Sequence, residues 1–323
     1  MRRLVRPAIA LLLIIGGALF LLPEESTPPT GRWLTRAGLE SRTVTLPRGD
    51  AGTLPAGQAD LPSQRLDIRY VRTGAGPTVI LIHGLASSIY SWADVIGPLS
   101  ANFDVVVIDL PGFGASSQPA DLSFDDNPRA VLGLMDSLGI EKAHFVGNSM
   151  GGALSLFLAA RQPARVNRVV VLDAAGFAMK PDERPFLVQL LASGATGALA
   201  ERLPVRRALT RATLNHLIRD RSRVTEERID EYVAPLQRPG ALEATRSLLR
   251  SRFDERFVPD LALIRAKTLV VWGRYDPWLP LEDADRFVAA IRGARKVVLE
   301  TGHMPQEEKP AAVAQLIGEF LIS

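Results

Sequence analysis

Short apolar runs that recur at helix-length intervals constrain the fold of this chain more than any other feature. Most of them are rich in Val, Ile and Leu and end at a Gly, Asp or His. The runs are Arg65–Val71, Thr78–Ile82, Val105–Ile108, Ala143–Val146, Val169–Leu172, Thr268–Trp272 and Lys296–Leu299. Continuous apolar strands alternating with helices are typical of a mostly parallel sheet flanked by helices, so we predict an α/β fold. Arg65–Val71 instead alternates apolar and polar residues, which predicts an antiparallel edge strand.

One long interval interrupts this rhythm. About 90 residues between Asp173 and Thr268 contain no apolar strand run, which is too long for a loop. Helix-like stretches such as Glu183–Ala192 and Arg206–Arg219 lie within it. We predict that residues 177–265 form an inserted helical cap, or lid, on a core made of residues 64–176 and 266–323. The candidates to line an apolar substrate tunnel under this cap are Phe177, Phe186, Leu187, Leu190 and Leu191.

The N-terminus combines a basic stretch with an apolar run. Arg2, Arg3 and Arg6 precede the apolar residues Ala8–Leu22, and no small-residue cleavage site follows directly. We predict that residues 1–22 are an uncleaved membrane anchor and that residues 23–63 are a juxtamembrane connector. The arginines then stay inside, which predicts a bacterial inner-membrane protein with a periplasmic catalytic domain. The alternative is a cleaved signal and a secreted or periplasmic protein.

Composition excludes several classes of function. The chain has no cysteine, which excludes disulfides, thiolate metal sites and a cysteine nucleophile. Its net charge is only +3, and no run of basic residues interleaved with aromatics occurs, so we predict no nucleic-acid partner. No residue pattern requires an oligomer, and a homodimer through the anchor or the cap stays open.

A candidate nucleophile lies between a predicted strand and a strong helix former. The segment Gly147-Asn148-Ser149-Met150-Gly151 has the G-x-S-x-G spacing, in which small residues let the backbones pass around a strained strand-to-helix turn. Such a turn presents the hydroxyl at the end of the sheet and near a helix N-terminus, whose dipole favours developing negative charge. We predict that Ser149 is a nucleophile.

A serine hydroxyl needs an adjacent base, and that base needs an acid to orient it. The four histidines of the chain are His83, His144, His216 and His303. His303 follows the last predicted strand and can reach the carboxyl end of the sheet, so we predict that it is the base. Asp276 follows the penultimate strand and is the predicted acid, with Asp173 as the alternative. Asp109 precedes the nucleophile and is expected to shape a neighbouring loop.

The oxyanion formed during acyl transfer needs two backbone N–H donors. Met150 directly follows the nucleophile and supplies one of them by geometry. The second should come from the loop after Ile82, where Leu85 follows His83-Gly84. We predict an oxyanion hole made of the Leu85 and Met150 amides.

Taken in chain order, these motifs resemble the α/β-hydrolase family over residues 64–323. They are His83-Gly84, Asp109-Leu110-Pro111-Gly112-Phe113-Gly114, the turn from Gly147 to Gly152, Gly273-Arg274-Tyr275-Asp276 and Gly302-His303. The resemblance implies a hydrolase without cofactor. Serine at position 149 argues against the haloalkane dehalogenase and epoxide hydrolase branches, which use aspartate there. The core combined with an N-terminal anchor is similar to bacterial membrane-anchored esterases and phospholipases A.

Three functions follow from this resemblance. We expect first a carboxylic-ester hydrolase that acts on a hydrophobic or lipid ester, of the esterase, lysophospholipase or phospholipase A type, through an acyl-enzyme. The alternative is a carbon–carbon bond hydrolase of ring-cleavage (meta-cleavage) products, because the turn Gly147–Gly152 is also similar to those enzymes. The third is a fold used only for ligand binding or as a membrane scaffold, without activity, against which the intact Ser149, Asp276 and His303 argue.

Overall fold

The structure, a computed structural model, describes residues 31–48, 65–177, 203–250 and 258–323, and an eight-stranded sheet organises it. The strands are β1 (Ser41–Pro47), β2 (Arg65–Thr73), β3 (Thr78–Ile82), β4 (Asp104–Ile108), β5 (Ala143–Asn148), β6 (Val166–Leu172), β7 (Lys267–Gly273) and β8 (Arg295–Leu299). Their order across the sheet is β1-β2-β4-β3-β5-β6-β7-β8. The pairs β1/β2 and β2/β4 are antiparallel, and all the others are parallel. The predicted mostly parallel sheet is confirmed.

Helices cover the sheet and make up the described part of the predicted cap. They are α1 (Arg32–Arg36), α2 (Ala93–Ser100), α3 (Asp126–Ser137), α4 (Met150–Arg161), α5 (Leu203–Leu217), α6 (Glu226–Leu236), α7 (Ala241–Arg250), α8 (Leu281–Ala290), α9 (Pro305–Glu308) and α10 (Pro310–Ile322). Helices α5, α6 and α7 fall within the predicted cap, where the sequence lacks strand runs.

Successive side chains of each strand point to opposite faces of the sheet, and this alternation divides the core into two layers. In β3, Ile80 and Ile82 belong to a cluster with side chains of α3, α4 and α8, whereas Val79 and Leu81 belong to a cluster with side chains of α2 and α10. Both faces are therefore buried, which explains why these strands have no polar face.

The position of the first strands differs from the sequence prediction. Ser41–Pro47 lies in the predicted connector, yet it forms β1, pairs with β2 and occupies the edge of the sheet. The prediction of an edge position for Arg65–Val71 was therefore wrong, because β2 has a neighbour on each side. Only Leu46 of β1 is buried, so the strand lacks the apolar signal of the others.

Helix α1 connects the N-terminal part of the described chain to the cap. The Gly31 amide donates a hydrogen bond to the Glu231 carboxylate of α6 at 2.8 Å, and Arg36 pairs with Glu227 of the same helix. Trp33 of α1 is buried, with its ring 5.6 Å from that of Tyr90. These contacts hold α1 against the cap as well as against the core.

The predicted membrane anchor, residues 1–22, lies outside the described residues and stays a prediction. Within the described ranges, no helix is both long enough and apolar enough to cross a membrane.

Only one of the five residues predicted to line a substrate tunnel lies within the described residues. Phe186, Leu187, Leu190 and Leu191 lie outside the described residues. Phe177 is buried, with its ring 4.6 Å from that of Phe287 on α8, in the hydrophobic core. The prediction that Phe177 lines a tunnel was therefore wrong, because its ring completes the core beside the sheet.

The strand order determines where a ligand site can form. The chain runs from β3 to β4 on one side and then returns to place β5 on the other side of β3. Loops after β3 and β5 therefore diverge, and open α/β sheets bind ligands in the crevice at such a switch point. The candidate nucleophile follows β5, at this position.

Candidate active site

Ser149 occupies a strained turn between β5 and α4. Its φ is 54° and its ψ is −118°, a conformation that few non-glycine residues adopt. The Ser149 amide donates to the Leu172 carbonyl at 2.9 Å, and Asn148 and Met150 on either side are buried. Ser149 itself is only partly buried. The turn therefore presents the Ser149 side chain at the carboxyl end of the sheet.

Two glycines make this turn sterically possible. A Cβ atom on Gly147 would lie 2.1 Å from the Gly151 carbonyl oxygen. A Cβ on Gly151 would lie 2.2 Å from the Ile82 carbonyl oxygen. Both obstacles are backbone atoms, which cannot rotate away as a side chain would. The glycines of the G-x-S-x-G segment are thus required by close packing of strand, turn and helix.

We expect Gly147→Ala to destabilise the protein by about 3 kcal/mol or more, since the turn must open to admit the methyl group. Thermal unfolding and the yield of soluble protein measure this effect. Gly318→Ala is the matched control, because Gly318 lies inside α10 and a Cβ there meets nothing within 4 Å. That control should leave stability unchanged or raise it by about 0.5–1 kcal/mol. Equal stability of the two variants would contradict the packing argument.

Asp276 and His303 come together at the ends of β7 and β8. His303 Nδ1 lies 2.7 Å from Asp276 Oδ2, and both side chains are almost fully buried. Asp276 Oδ1 also accepts the backbone amides of Trp278 and Leu279, at 2.7 and 3.0 Å. Burial alone would raise the pKa of Asp276, but His303 and these amides outweigh it and lower the pKa. An ionised Asp276 therefore keeps the proton of His303 on Nδ1 and leaves Nε2 as the basic atom.

The backbone of His303 is held by two contacts that the sequence analysis did not identify. Asn148, beside the nucleophile, donates its side-chain amide to the His303 carbonyl at 3.1 Å. The His303 amide donates to the Leu217 carbonyl at the end of α5, at 2.9 Å. Gly302 allows this approach, because a Cβ there would lie 2.1 Å from the Leu217 oxygen. The turn at Ser149 and the end of α5 thus both position His303, the predicted base.

The loop after β3 approaches the nucleophile closely. A Cβ on Gly84 would lie 3.2 Å from the Ser149 Cβ, and Leu85 lines the same cavity as Ser149. Met150 begins α4, whose N-terminal amides have no partner within the helix. The structure therefore places both predicted oxyanion-hole residues next to Ser149, and their amides stay the proposed donors.

His83 stabilises this loop and does not serve as the base. Its Nε2 lies 3.0 Å from the Leu110 amide, and its Nδ1 lies 2.7 Å from the Gly84 carbonyl. These partners assign the proton to Nδ1, so that Nδ1 donates and Nε2 accepts. Burial lowers the pKa of His83, which keeps the ring neutral. His83 therefore joins the loops that follow β3 and β4.

The other residues weighed in the sequence analysis have separate positions. His144 is buried in β5 beside Phe103, and His216 is exposed on the cap. Asp109 accepts the Ile89 amide at 2.7 Å and the Ala115 amide at 2.8 Å, so it shapes the loops beside the site as predicted. Asp173 lies next to Asp276 but does not replace it as the partner of His303.

A cavity beneath α5, α6 and α7 contains the predicted nucleophile and the predicted base. Its described lining comprises Gly84, Leu85, Ala86, Ser87, Asn148, Ser149, Arg206, Leu209, Thr210, Thr213, Leu214, Leu217, Tyr232, Leu236, Leu242, Thr245, Trp278, His303 and Met304. Most of these residues are apolar, and many come from α5, α6 and α7. Ser149 therefore faces a largely apolar chamber that the core and α5, α6 and α7 build together.

A comparison with protein-family models identifies the fold family to which this arrangement belongs. The family model described as the alpha/beta hydrolase fold matches residues 77–310. The chain belongs to the α/β-hydrolase fold family. Its sheet, its strand–turn–helix segment at Ser149 and its buried Asp276–His303 pair are the parts of the fold that the sequence motifs predict.

Individual α/β-hydrolases resemble this chain over most of its length. The 2-hydroxy-6-oxo-6-phenylhexa-2,4-dienoate hydrolase of Comamonas testosteroni is 35% identical over 276 residues, which cover 79% of this chain and 91% of that protein. The solved meta-cleavage product hydrolase of Pseudomonas fluorescens is 31% identical, with a TM-score of 0.68, and covers 79% of this chain and 94% of that one. A solved membrane phospholipase A is 24% identical, with a TM-score of 0.70, and covers 99% of this chain and 98% of that one.

This α/β-hydrolase joins its cap to its core through a buried ionic cluster. Arg228 of α6 pairs with Glu307 of α9 at 2.5 Å, and the Tyr232 hydroxyl donates to the same carboxylate. Ser87, on the loop after β3, donates to the Tyr232 hydroxyl at 3.3 Å. The cluster therefore links the cap, the loop beside the nucleophile and the helix that follows His303.

The described residues offer one group that is compact enough to hold an ion, made of Asp173, Asp276 and His303. His303 and Asp276 are already hydrogen-bonded to each other in the geometry of a catalytic acid–base pair. This bond accounts for their proximity without a metal.

Proposed function

We propose that this α/β-hydrolase is a serine-dependent carbon–carbon bond hydrolase that acts on a 2-hydroxy-6-oxo-dienoate. The carbon–carbon alternative of the sequence analysis thereby takes precedence over the ester hydrolase. Its support is the relative at 35% identity, together with the meta-cleavage product hydrolase at 31% identity. The more specific likeness to a phospholipase A lies at 24% identity and indicates the fold alone.

The proposed triad performs this reaction through an acyl-enzyme. The substrate first moves its enol proton from O2 to C5, which forms a ketone at C2 and leaves the C6 ketone unconjugated. The C5–C6 bond can then break, because the C2 ketone accepts its electron pair through the C3=C4 double bond. Ser149 Oγ attacks C6 while His303 accepts the hydroxyl proton. The C5–C6 bond then breaks, its electron pair is delocalised onto O2, and O2 takes the proton from His303. Water, deprotonated by His303, finally releases the acid from Ser149.

One observation of the cavity carries the proposal beyond the comparisons. Such a substrate is apolar along most of its length but has a carboxylate at one end. Arg206, on α5, is the one arginine or lysine in the described lining, and its Nη1 donates to the Leu236 carbonyl at 3.0 Å. A guanidinium binds carboxylates through paired, charge-assisted hydrogen bonds. We therefore propose Arg206 as the residue that recognises the substrate carboxylate.

We expect Arg206→Gln to lower kcat/KM for the dienoate by about 10- to 100-fold, the loss typical of a charge-assisted hydrogen bond. Hydrolysis of p-nitrophenyl butyrate, which carries no charge, should change by less than about threefold. The measurement is steady-state kinetics with both substrates. Arg211→Gln is the matched control, because Arg211 lies on the same helix but pairs with Glu226 at the surface. Equal losses for both substrates in Arg206→Gln would contradict a role in carboxylate recognition.

Ester hydrolysis is the second candidate, and the apolar lining favours it. The same triad cleaves an ester if the alcohol oxygen takes the place of the carbon leaving group. An acyl chain also suits a chamber lined by Leu209, Leu214, Leu217, Leu236 and Leu242. The two reactions therefore differ in the substrate that fits and not in the catalytic residues.

A parallel substrate series decides between the two candidates. It compares 2-hydroxy-6-oxo-6-phenylhexa-2,4-dienoate with p-nitrophenyl esters from C2 to C16, a lysophospholipid and a phospholipid, with Ser149→Ala as the control. We expect kcat/KM for the dienoate to exceed that for every ester by at least about tenfold. A higher value for any ester or lipid would assign the protein to the ester hydrolases instead.

A further inference from the structure

A second buried carboxyl group lies beside the proposed triad. Asp173 directly follows β6, is fully buried and has a φ of 44°, a conformation rare for residues other than glycine. A carboxylate oxygen of Asp173, one of Asp276 and a ring nitrogen of His303 all lie within 4.8 Å of one another. The triad uses Asp276 and leaves Asp173 without an assigned role.

The two carboxyl groups accept different numbers of hydrogen bonds. Asp276 accepts the His303 ring and the amides of Trp278 and Leu279. Asp173 Oδ1 accepts the Gly273 amide at 2.8 Å, but its Oδ2 is buried and no donor of the described residues reaches it. An ionised Asp173 would leave Oδ2 unsatisfied, which is costly in the interior. A protonated Asp173 would instead donate from Oδ2.

The charges around this pair favour a neutral Asp173. Burial raises the pKa of Asp173 well above its usual range, and the negative charge of Asp276 raises it further. Glu308 also faces the pair, with its carboxylate on the Gly302 and Asp220 amides. Asp283, which pairs with Arg286, adds a further acidic group on the side of Asp276.

We propose that Asp173 carries a proton at neutral pH and donates it in a hydrogen bond to Asp276, acting as a positioning residue for the triad. Asp276 is then held on one side by Asp173 and on the other by His303, so its carboxylate cannot turn away from the ring. The neutral state of Asp173 also limits the negative charge beside His303. Two charges there would stabilise the protonated ring, so that less of His303 would be neutral and able to accept the serine proton at neutral pH. The inference rests on the proposed triad but not on the substrate.

Two variants separate positioning from structure. Asp173→Ala removes the donor, so Asp276 becomes more basic, the NMR titration of the His303 ring moves to higher pH, and kcat falls by about 10- to 100-fold with little change in KM. Asp173→Asn keeps both an acceptor for Gly273 and a donor for Asp276. It should restore most of the activity, with a titration midpoint within about 0.3 pH unit of the native one.

Opposite results would overturn the proposal. If Asp173 were ionised, Asp173→Asn would remove a charge close to His303 and move the midpoint down by about one to two pH units. A purely structural role would lower the unfolding temperature of both variants without moving the midpoint.

A direct measurement covers the case in which Asp173→Ala does not fold. The infrared C=O stretch of a protonated carboxyl should be present in the native protein at pH 7 and absent in Asp173→Asn. Its absence from the native protein would also overturn the proposal. Neither the infrared nor the NMR readout needs a substrate, so failure of the proposed function leaves this test intact.

Discussion

Ser149→Ala is expected to lower kcat by roughly 10⁴- to 10⁶-fold on whichever carbonyl substrate the protein turns over. Alanine removes the Oγ atom that would form the acyl-enzyme, while Asp276, His303 and the apolar chamber stay in place. The residual rate should come from substrate binding and the oxyanion donors alone. Because the loss concerns a covalent step, KM should change far less than kcat. Single-turnover kinetics and labelling by a fluorophosphonate probe measure the loss.

Ser155→Ala is the matched control for this experiment. Ser155 lies on the same helix, α4, is fully buried and donates its hydroxyl to the Gly151 carbonyl at 2.8 Å. The control variant should keep its activity within about threefold and should still be labelled by the probe. If Ser149→Ala retained more than about a tenth of the native kcat, the nucleophile would be another group, and the proposed acyl-enzyme would be wrong.

Asp276→Asn should lower kcat by about 10⁴-fold. An asparagine can present its amide N–H to His303 Nδ1, which would move the ring proton to Nε2 and remove the acceptor that Ser149 needs. The ionised carboxylate that stabilises the charged ring during turnover is lost as well. The carboxylate is also available over a wide pH range, because its pKa is lowered in the folded protein. The measurement is the pH–rate profile of the variant beside the native protein.

Asp260→Asn controls for the loss of a buried carboxylate elsewhere. Asp260 is 8% exposed and pairs with Arg161 at 2.5 Å, outside the described lining of the cavity. Its substitution should affect stability but leave kcat within about threefold. A loss of activity in Asp276→Asn no larger than in this control would exclude Asp276 as the acid of the triad.

The strands and the turn that position the site can be predicted because their sequence signals are local. Apolar runs mark the parallel strands, and the spacing of Gly147, Ser149 and Gly151 marks a turn that few other residues could form. Strand β1 lacks such a signal. Only Leu46 is buried there, and pairing with β2 rather than burial of an apolar face defines the strand.

Contacts between distant loops could not be derived from the sequence. The bond from Asn148 to the His303 carbonyl joins residues 155 positions apart. The protonated state proposed for Asp173 likewise depends on whether Asp173 or Asp276 accepts more hydrogen bonds from N–H groups. This difference exists only in the folded protein. Substrate choice has the same origin, because esters and dienoates call for the same triad. The side chains that distinguish them, such as Arg206, lie on the cap.

The contact of α1 with the cap determines where the chain can be shortened for production without its apolar start. A form that began at residue 64 would lose Gly31, the amide donor to Glu231, a cap residue that is 8% exposed. It would also lose β1 and leave the outer edge of β2 open to pairing with other molecules, a known route to aggregation. A shortened form that begins before Gly31 keeps both contacts.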